Sequence, residues 1–237
     1  MWDDAQALSR LSNTLFSISL LLVLYGIVHY AVHLPVFGVQ VVQLEDVPEH
    51  VDVAQVRNVV QRDLHGNFFT MDLETVRQSL EQLPWVRQAT VRRHFPWQLD
   101  VALEGDVALA SWNGNGLVNL QGEVFNSGNV KPDLSEQKLP AFNGPESSAQ
   151  EVTRYFGRFT SELAPLGQQI AEVKLSPRQA WQLRLQNGMV LELGRQQMEQ
   201  RLARFVAAYP DSVAKIQPPV KYVDLRYRNG FAVKLTG

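Results

Sequence analysis

Histidines are the residues best suited to chemistry in this sequence, and only two of the five, His29 and His33, lie close together. Their spacing of four residues places both rings on one face of a helix. Such a pair could bind a metal ion or carry a proton, but a metal site needs further ligands and none lies nearby. The alternative is two amphipathic side chains near a membrane interface, and the missing ligands favour it.

The residue patterns on which most enzymes depend are absent from the sequence. It contains no cysteine, which excludes disulfides, thiol nucleophiles and thiolate metal sites. It also lacks H-E-x-x-H, G-x-S-x-G and a glycine-rich phosphate loop. The glycines of "WNGNG", residues 112–116, are expected to form a hairpin turn rather than a ligand loop. We therefore predict a protein that is not an enzyme, with no cofactor, metal or small-molecule substrate.

The charge distribution argues against a nucleic-acid partner. The formal net charge is −2, and no basic run is longer than the short "VRRHF" at Val91–Phe95. This run could contact anionic lipid or an acidic protein, or it could be an exposed strand face that needs neither.

An apolar segment near the N-terminus is long enough to cross a membrane. Leu15–Leu34 contains no Lys, Arg, Asp or Glu, and about 20 helical residues span the roughly 30 Å of a bilayer core. A cleaved signal peptide would have a shorter apolar core and a small-residue cleavage site, which is not evident here. Arg10 precedes the segment and the next Arg is Arg57, so residues 1–14 are expected in the cytoplasm and the bulk of the chain outside.

The first exterior segment, residues 37–105, has the pattern of a compact α+β unit. Its apolar residues alternate in the strand regions and recur at helical spacing in between. The predicted order is strand, helix, helix, strand, strand: a strand Phe37–Leu44, a helix capped by Asp52, a helix from about Asp72 to Pro84, and strands within residues 85–93 and 97–105.

The second exterior segment, residues 106–237, is predicted to be rich in β-strands with flanking helices. Strand and turn patterns alternate at its start, and Asn187–Gly188 marks a hairpin. Ser148 and Glu151 have the spacing of a capping box, which predicts a helix from about Ala149. Apolar spacing predicts another helix within "MEQRLARFVAAYP", residues 198–210.

Several segments resemble one family of bacterial proteins. "LEQLPWVRQATVRRHFPWQLDVAL", residues 80–103, is similar to the POTRA domain of the FtsQ/DivIB cell-division family. The same family has counterparts of "GPESSAQEV", "WQLRLQNGMVLELGR", "RLARF" and "YVDLRYRNG", in this order. The resemblance implies a transmembrane helix at residues 15–34, a POTRA domain at residues 37–105 and a C-terminal β domain at residues 106–237.

This resemblance also implies a function. Members of the family are bitopic scaffolds of the divisome without enzymatic activity, located in the inner membrane and concentrated at the division septum. They bind FtsB and FtsL mainly through the end of the β domain, with contacts to FtsK, FtsW and FtsI elsewhere. We expect the same partners here, and a link through them to septal peptidoglycan synthesis.

The residues expected at the partner interface follow from the same resemblance. Tyr227 aligns with a family tyrosine at that interface, although a buried core aromatic is its alternative. Arg178 is a candidate salt-bridge donor to a partner acid. The expected set comprises Arg178, Arg226, Tyr227, Asn229, Gly230, Phe231, Ala232, Val233 and Leu235.

The closing segment, "KYVDLRYRNGFAVKLTG", is predicted to be a β-hairpin whose last strand has a free edge. A two-residue turn at Asn229–Gly230 would put apolar and charged side chains on one face. A three-residue loop, Arg228–Gly230, with Gly230 in the left-handed region, separates them. It pairs Tyr227 with Phe231, Leu225 with Val233, Val223 with Leu235 and Asp224 with Lys234.

A second functional class fits the POTRA pattern. POTRA domains of transport and outer-membrane assembly proteins bind unfolded β-strands at a sheet edge, and they usually precede a β-barrel. No barrel-like spacing is visible in this sequence. The partners captured by crosslinking distinguish the classes: division proteins support the scaffold, and nascent outer-membrane proteins support transport.

Overall fold

A computed structural model describes residues 5–34, 37–39, 41–128 and 139–235. The chain divides into two compact units, Met1–Gly105 and Asp106–Gly237, each with its own sheet. The architecture is the predicted one: an apolar N-terminal helix, a POTRA unit and a β-rich unit with helices.

Helix α1, Ala5–Val32, contains the apolar segment. Its stretch Ser9–Val32 is long and apolar enough to cross a membrane, and no residue of its most apolar 18-residue window is buried in the protein. The helix therefore fits the predicted single-pass anchor. It ends at Val32, two residues before the predicted end of the span at Leu34.

A three-stranded sheet and two helices make up the rest of the first unit. The strand order is β1-β3-β2, with β1 parallel to β3 and β2 antiparallel to it. The predicted strand–helix–helix–strand–strand order is correct, although β1 begins at Val41 rather than Phe37. The elements are β1 Val41–Glu45, α2 Val53–Asp63, α3 Leu73–Glu81, β2 Val86–His94 and β3 Gln98–Gly105.

Both helices of this unit begin where the sequence predicts. Asp52 accepts a hydrogen bond from the Ala54 backbone N–H, and Asp72 accepts from Glu74 and Thr75. These carboxylates satisfy backbone donors that the first helical turn leaves free. Helical spacing then turns one apolar face of each helix toward the sheet, and the unit buries Val56, Val60, Val76, Leu80, Leu99 and Val101.

The second unit contains one nine-stranded mixed sheet within its described residues, in the order β12-β11-β10-β9-β8-β7-β4-β5-β6. Two helices, α4 and α5, contribute buried aromatic side chains to its core. The elements are β4 Ala108–Trp112, β5 Gly116–Asn119, β6 Val124–Phe125, β7 Ala141–Asn143, α4 Ala149–Leu163, β8 Ile170–Leu175, β9 Trp181–Leu185, β10 Val190–Gly194, α5 Met198–Ala208, β11 Val220–Asp224 and β12 Ala232–Leu235.

Helix α4 begins at Ala149 as predicted, but the predicted capping box is wrong. The Ser148 hydroxyl donates to the Pro145 carbonyl oxygen at 2.6 Å and caps no helical N–H. A 3₁₀ turn over Glu146–Ser148 leads into the helix, and the Ser148 hydroxyl bonds back along this turn instead of forward to the first helical N–H groups.

The predicted register of the closing hairpin is also wrong. Val223 pairs with Val233, Asp224 with Ala232 and Tyr222 with Lys234, so the strands are shifted by two residues from the prediction. The connecting loop is Leu225–Phe231 instead of Arg228–Gly230, and Gly230 does not adopt a positive φ. A shift of two residues keeps the side chains of Tyr222–Asp224 and Ala232–Lys234 on their predicted faces, because side chains alternate with a period of two. An irregularity before Tyr222 then pairs Val220 with Leu235.

Candidate protein-binding edge

Strand β12 forms one edge of the nine-stranded sheet. Among the described strands its only neighbour is β11, so the backbone groups on its other side have no strand to pair with. All four of its residues are exposed. Val233 and Leu235 lie opposite the buried Val223 and Val220, so they extend the apolar face of the sheet beyond its core. This is the free edge that the sequence predicts.

The β11–β12 loop, Leu225–Phe231, is fastened to the domain at both ends. Leu225 is buried in the core, and the Phe231 ring packs edge-on against Phe205 of α5 at 5.8 Å between centroids. Between them, the Arg204 guanidinium donates to the backbone carbonyls of Arg228 and Tyr227. The start of β12 is therefore positioned by α5 as well as by its pairing with β11.

Tyr227 lies at the outside of this loop and is 57% exposed. This exposure excludes the alternative in which it is a core aromatic. Its ring borders a shallow cavity of about 530 Å³ that is lined by Tyr227–Ala232. Of the predicted site residues, Tyr227, Asn229, Gly230, Phe231 and Ala232 are thus brought together on one surface.

Arg226 is engaged within the domain. Its guanidinium donates to both oxygens of Asp224 at 2.9 and 2.6 Å, and its backbone N–H donates to the same carboxylate. Hydrogen bonds from Arg226 lower the pKa of Asp224, although burial of the carboxyl opposes this effect. The pair closes a tight turn at the end of β11. Arg226 keeps half of its side chain exposed, so it remains accessible to a partner.

Arg178 lies in the exposed turn between β8 and β9. The start of β9 pairs with the end of β10, and β10 runs parallel to β11, so this turn and the β11–β12 loop are at the same end of the sheet. Ala180, two residues after Arg178, lines a cavity of about 290 Å³ together with Arg226. Arg178 therefore lies at the same end of the sheet as the β11–β12 loop.

Two arginines that the sequence analysis did not single out build this end of the sheet. Arg204 holds the loop carbonyls, and Arg201 donates to the Leu193 carbonyl at 2.6 Å. Gly194 has φ 75°, and a side chain there would collide with Arg201 and Arg226. The segment "RLARF" contains the pattern from which these arginines could be recognised. They are three residues apart, on one helical face beside Leu202 and Phe205.

The histidine pair in α1 has the geometry of neighbouring side chains on a helix. The rings of His29 and His33 are 4.2 Å apart, and the His33 Nδ1 is 2.7 Å from the His29 carbonyl oxygen. No cluster of three or more metal-ligating side chains occurs within the described parts of the chain.

Comparison with known families covers most of the chain. Residues 110–226 match the model described as cell division protein FtsQ/DivIB, C-terminal. Residues 37–104 match the model described as POTRA domain, FtsQ-type. Most of the β11–β12 loop and all of β12 follow the first match.

Relatives with curated names match the full length. The chain is 42% identical to the cell division protein FtsQ of Nitrosospira multiformis, with 100% of both chains covered. It is 37% identical to that of Burkholderia pseudomallei, covering 100% of this chain and 95% of the relative. The identity to the Bordetella pertussis protein is 35%, over 99% of this chain and 93% of the relative. The alignment with the first relative includes the β11–β12 loop and β12.

Proposed function

The chain belongs to the FtsQ/DivIB family of bacterial cell-division proteins, and from this premise we propose that it is a membrane-anchored, non-enzymatic scaffold that binds FtsB and FtsL through β12. It would be a divisome component of the inner membrane, with its N-terminus in the cytoplasm and its two compact units outside. By holding these regulators at the septum it would help control peptidoglycan synthesis, with FtsK, FtsW and FtsI as further partners.

The open edge of β12 is the observation that carries this proposal. A partner strand can extend a sheet by pairing with the unpaired N–H and C=O groups of an edge, and alternate side chains then provide specificity. Natural proteins normally protect such edges against unwanted pairing. Here β12 carries Lys234 as a protective charge, but its Val233 and Leu235 leave an apolar strip exposed.

The arrangement around β12 defines the partner segment that would fit. Its apolar side chains would alternate, so that they continue the face formed by Val233 and Leu235. At the loop end it would meet the Tyr227 ring, and aromatic side chains of this kind often dominate binding energy at interfaces. Arg178 and the exposed part of Arg226 favour an acidic residue at that end.

Site-specific photocrosslinking tests the proposal. We expect a photoreactive amino acid at Tyr227 or at Val233 to crosslink FtsB or FtsL when the whole chain is produced in dividing cells. The same label at Leu120 is the matched control. Leu120 is 61% exposed and lies between β5 and β6, at the opposite edge of the sheet. Equal crosslinking at all three positions would contradict the assigned edge, and capture of nascent outer-membrane proteins would favour the transport class.

A further inference from the structure

The end of the POTRA unit from which α1 departs carries exposed aromatic side chains. Phe95 is 77% exposed, Phe69 46% and Trp97 40%. Phe95 and Trp97 belong to the turn between β2 and β3, and Phe69 belongs to the segment between α2 and α3. Large aromatic rings are costly to leave in water, and three of them at one end of a small unit indicate a contact surface. We refer to Phe69, Phe95 and Trp97 as the aromatic rim.

Hydrogen bonds attach this rim to the end of the anchor helix. The Asn67 side-chain amide donates to the carbonyl oxygens of Val32 and Leu34, at 2.6 and 3.2 Å. The Val32 carbonyl is one that a helix C-terminus leaves without an intrahelical partner, and Leu34 follows the end of the helix by two residues. Asn67 is itself buried, and its side-chain oxygen accepts from the backbone of Phe69 and Thr70. The segment that carries Phe69 thus caps the anchor.

Three further contacts hold the chain that follows the anchor beside the rim. The Phe68 N–H donates to the Phe37 carbonyl oxygen at 2.7 Å, and the rings of Phe37 and Phe69 pack edge to face at 5.3 Å. The Val41 N–H donates to the Trp97 carbonyl oxygen, because β1 begins alongside the start of β3. The chain that leaves the anchor is therefore held against both segments of the rim.

A basic side chain joins the two rim segments. The Arg93 guanidinium of β2 donates to the carbonyl oxygens of Phe68 and Met71, each at 2.7 Å. This holds the β2–β3 turn against the segment between α2 and α3. The neighbouring Arg92 is exposed, and His94, the last residue of β2, bonds to Asp100.

We propose that the aromatic rim inserts into the headgroup region of the same bilayer that holds α1, on the side where the POTRA unit lies. This inference rests on the membrane anchoring proposed above. The rim is expected to contact the bilayer because it lies where the POTRA unit joins the anchor. The buried Asn67 of this unit caps the end of the spanning helix, so this end of the unit lies at the membrane surface. Trp is enriched at that depth because its ring is apolar and its N–H is polar, and Phe occurs on the apolar face of segments that lie in the interface. Arg92 suits the phosphates of the headgroups.

Depth-dependent quenching in bilayers tests the proposal, and the absence of cysteine makes single-site labelling simple. The full chain with Phe95→Cys is labelled with an environment-sensitive fluorophore and reconstituted into discs that hold one copy. We expect lipids with a nitroxide near the headgroup to quench this label. The control is Glu49→Cys, near Gly105 at the far end of the sheet; eight residues of β3 separate the two ends, about 25 Å at strand geometry. Its fluorescence should stay unchanged.

The outcomes separate this inference from the anchoring on which it depends. A chain that does not co-float with vesicles would refute the anchor. A chain that co-floats but shows equal quenching at both positions would refute the rim contact alone. If the label at position 95 is shielded from water only in discs that hold two copies, the rim contacts a second copy of the chain and not the bilayer. Circular dichroism of both labelled chains verifies that they remain folded.

One double variant and one change of conditions test the aromatic character of the contact. Phe69→Ser combined with Trp97→Ser should greatly reduce quenching of the label at position 95. In the labelled Phe95→Cys chain without these two substitutions, the quenching should persist in neutral lipid and at high salt, since burial of apolar surface is not screened by ions. Quenching that disappears at high salt would show a purely electrostatic contact and overturn the assignment to the rings.

Discussion

Tyr227 and Phe231 are four residues apart in one loop, but their side chains have different tasks. Phe231 packs against Phe205 and fastens the loop to α5, whereas the ring of Tyr227 is mostly in water. An aromatic side chain that contributes little to the core and lies beside an open strand is available for a partner. Replacement of these two residues should therefore separate binding from folding.

We expect Tyr227→Ala to weaken FtsB binding at least about tenfold, as the loss of an aromatic anchor does at other interfaces. The free energy of unfolding should change by no more than about 0.5 kcal/mol, because the side chain is at the surface. Calorimetry of the purified exterior part measures the affinity, and urea denaturation measures the stability. Leu120→Ala is the control and should change neither quantity. Wild-type affinity of Tyr227→Ala would remove Tyr227 from the site.

Asp224 should make the stability of the β-rich unit depend on pH in the acid range. Arg226 lowers the pKa of this carboxyl in the folded protein, so its contribution to stability is complete above its ordinary pKa. The contribution is lost as the pH falls through the lower, folded-state pKa. The difference in unfolding free energy between the parent and Asp224→Asn should shrink as the pH falls from above the ordinary carboxyl pKa through the lowered folded-state pKa. A difference that is constant over this range would contradict the pairing.

At the scale of elements, β12 should be sensitive to charge on the face that continues the core. Val233→Glu should weaken partner binding at least about tenfold, because the carboxylate would have to be buried against an incoming apolar strand. Val233→Thr is the matched control: it keeps the branched side chain and the strand preference without a charge. Binding by both variants can be compared in one competition assay. Equal affinities for Glu and Thr would place the partner on another surface.

The register of the β11–β12 hairpin shows where sequence patterns fail. Alternation correctly assigns the faces of Val223 and Val233, but it cannot determine the length of the loop. That length depends on Phe231 reaching Phe205 and on Arg204 holding two loop carbonyls. Both partners lie on α5, more than 20 residues earlier. An Asn-Gly pair is a strong local turn signal, and tertiary contacts override it here.

The POTRA unit was predictable element by element because its signals are local. Asp52 and Asp72 cap helices at their own N-termini, and the central strand β3 alternates between buried and more exposed residues. The order of the nine-stranded sheet was not predictable in this way. Its parallel pairs β4–β7, β7–β8 and β10–β11 join segments that are distant in the chain, and the short β7 has no pattern of its own. The edge position of β12 followed only from its place at the end of a hairpin.

At the scale of the whole molecule, the proposed scaffold would use α1 and β12 for complementary effects on association. An anchor confines the chain to the plane of a membrane, and a bitopic partner is confined to the same plane. Binding between two such proteins is governed by a high effective concentration, so a short edge strand can suffice for a stable complex. The anchor then contributes to assembly without contacting the partner.

Loss of the anchor should prevent assembly at the membrane and leave the intrinsic affinity for the partner unchanged. A chain lacking residues 1–34 should bind the soluble exterior part of FtsB with the same dissociation constant as the full chain. In vesicles that carry anchored FtsB, it should fail to assemble at concentrations at which the full chain is saturated. Fluorescence energy transfer between labelled proteins measures both conditions.

Exchange of α1 for an unrelated apolar helix of equal length is the decisive control. If α1 contributes only by confining the chain to the membrane plane, the exchanged chain should assemble as well as the parent. Failure of the exchanged chain, with its affinity in solution intact, would show that side chains of α1 pack specifically against the spans of its partners. The exposed small residue Gly26 would then be the first position to substitute, since no heavy atom of the protein lies within 4 Å of a Cβ placed there.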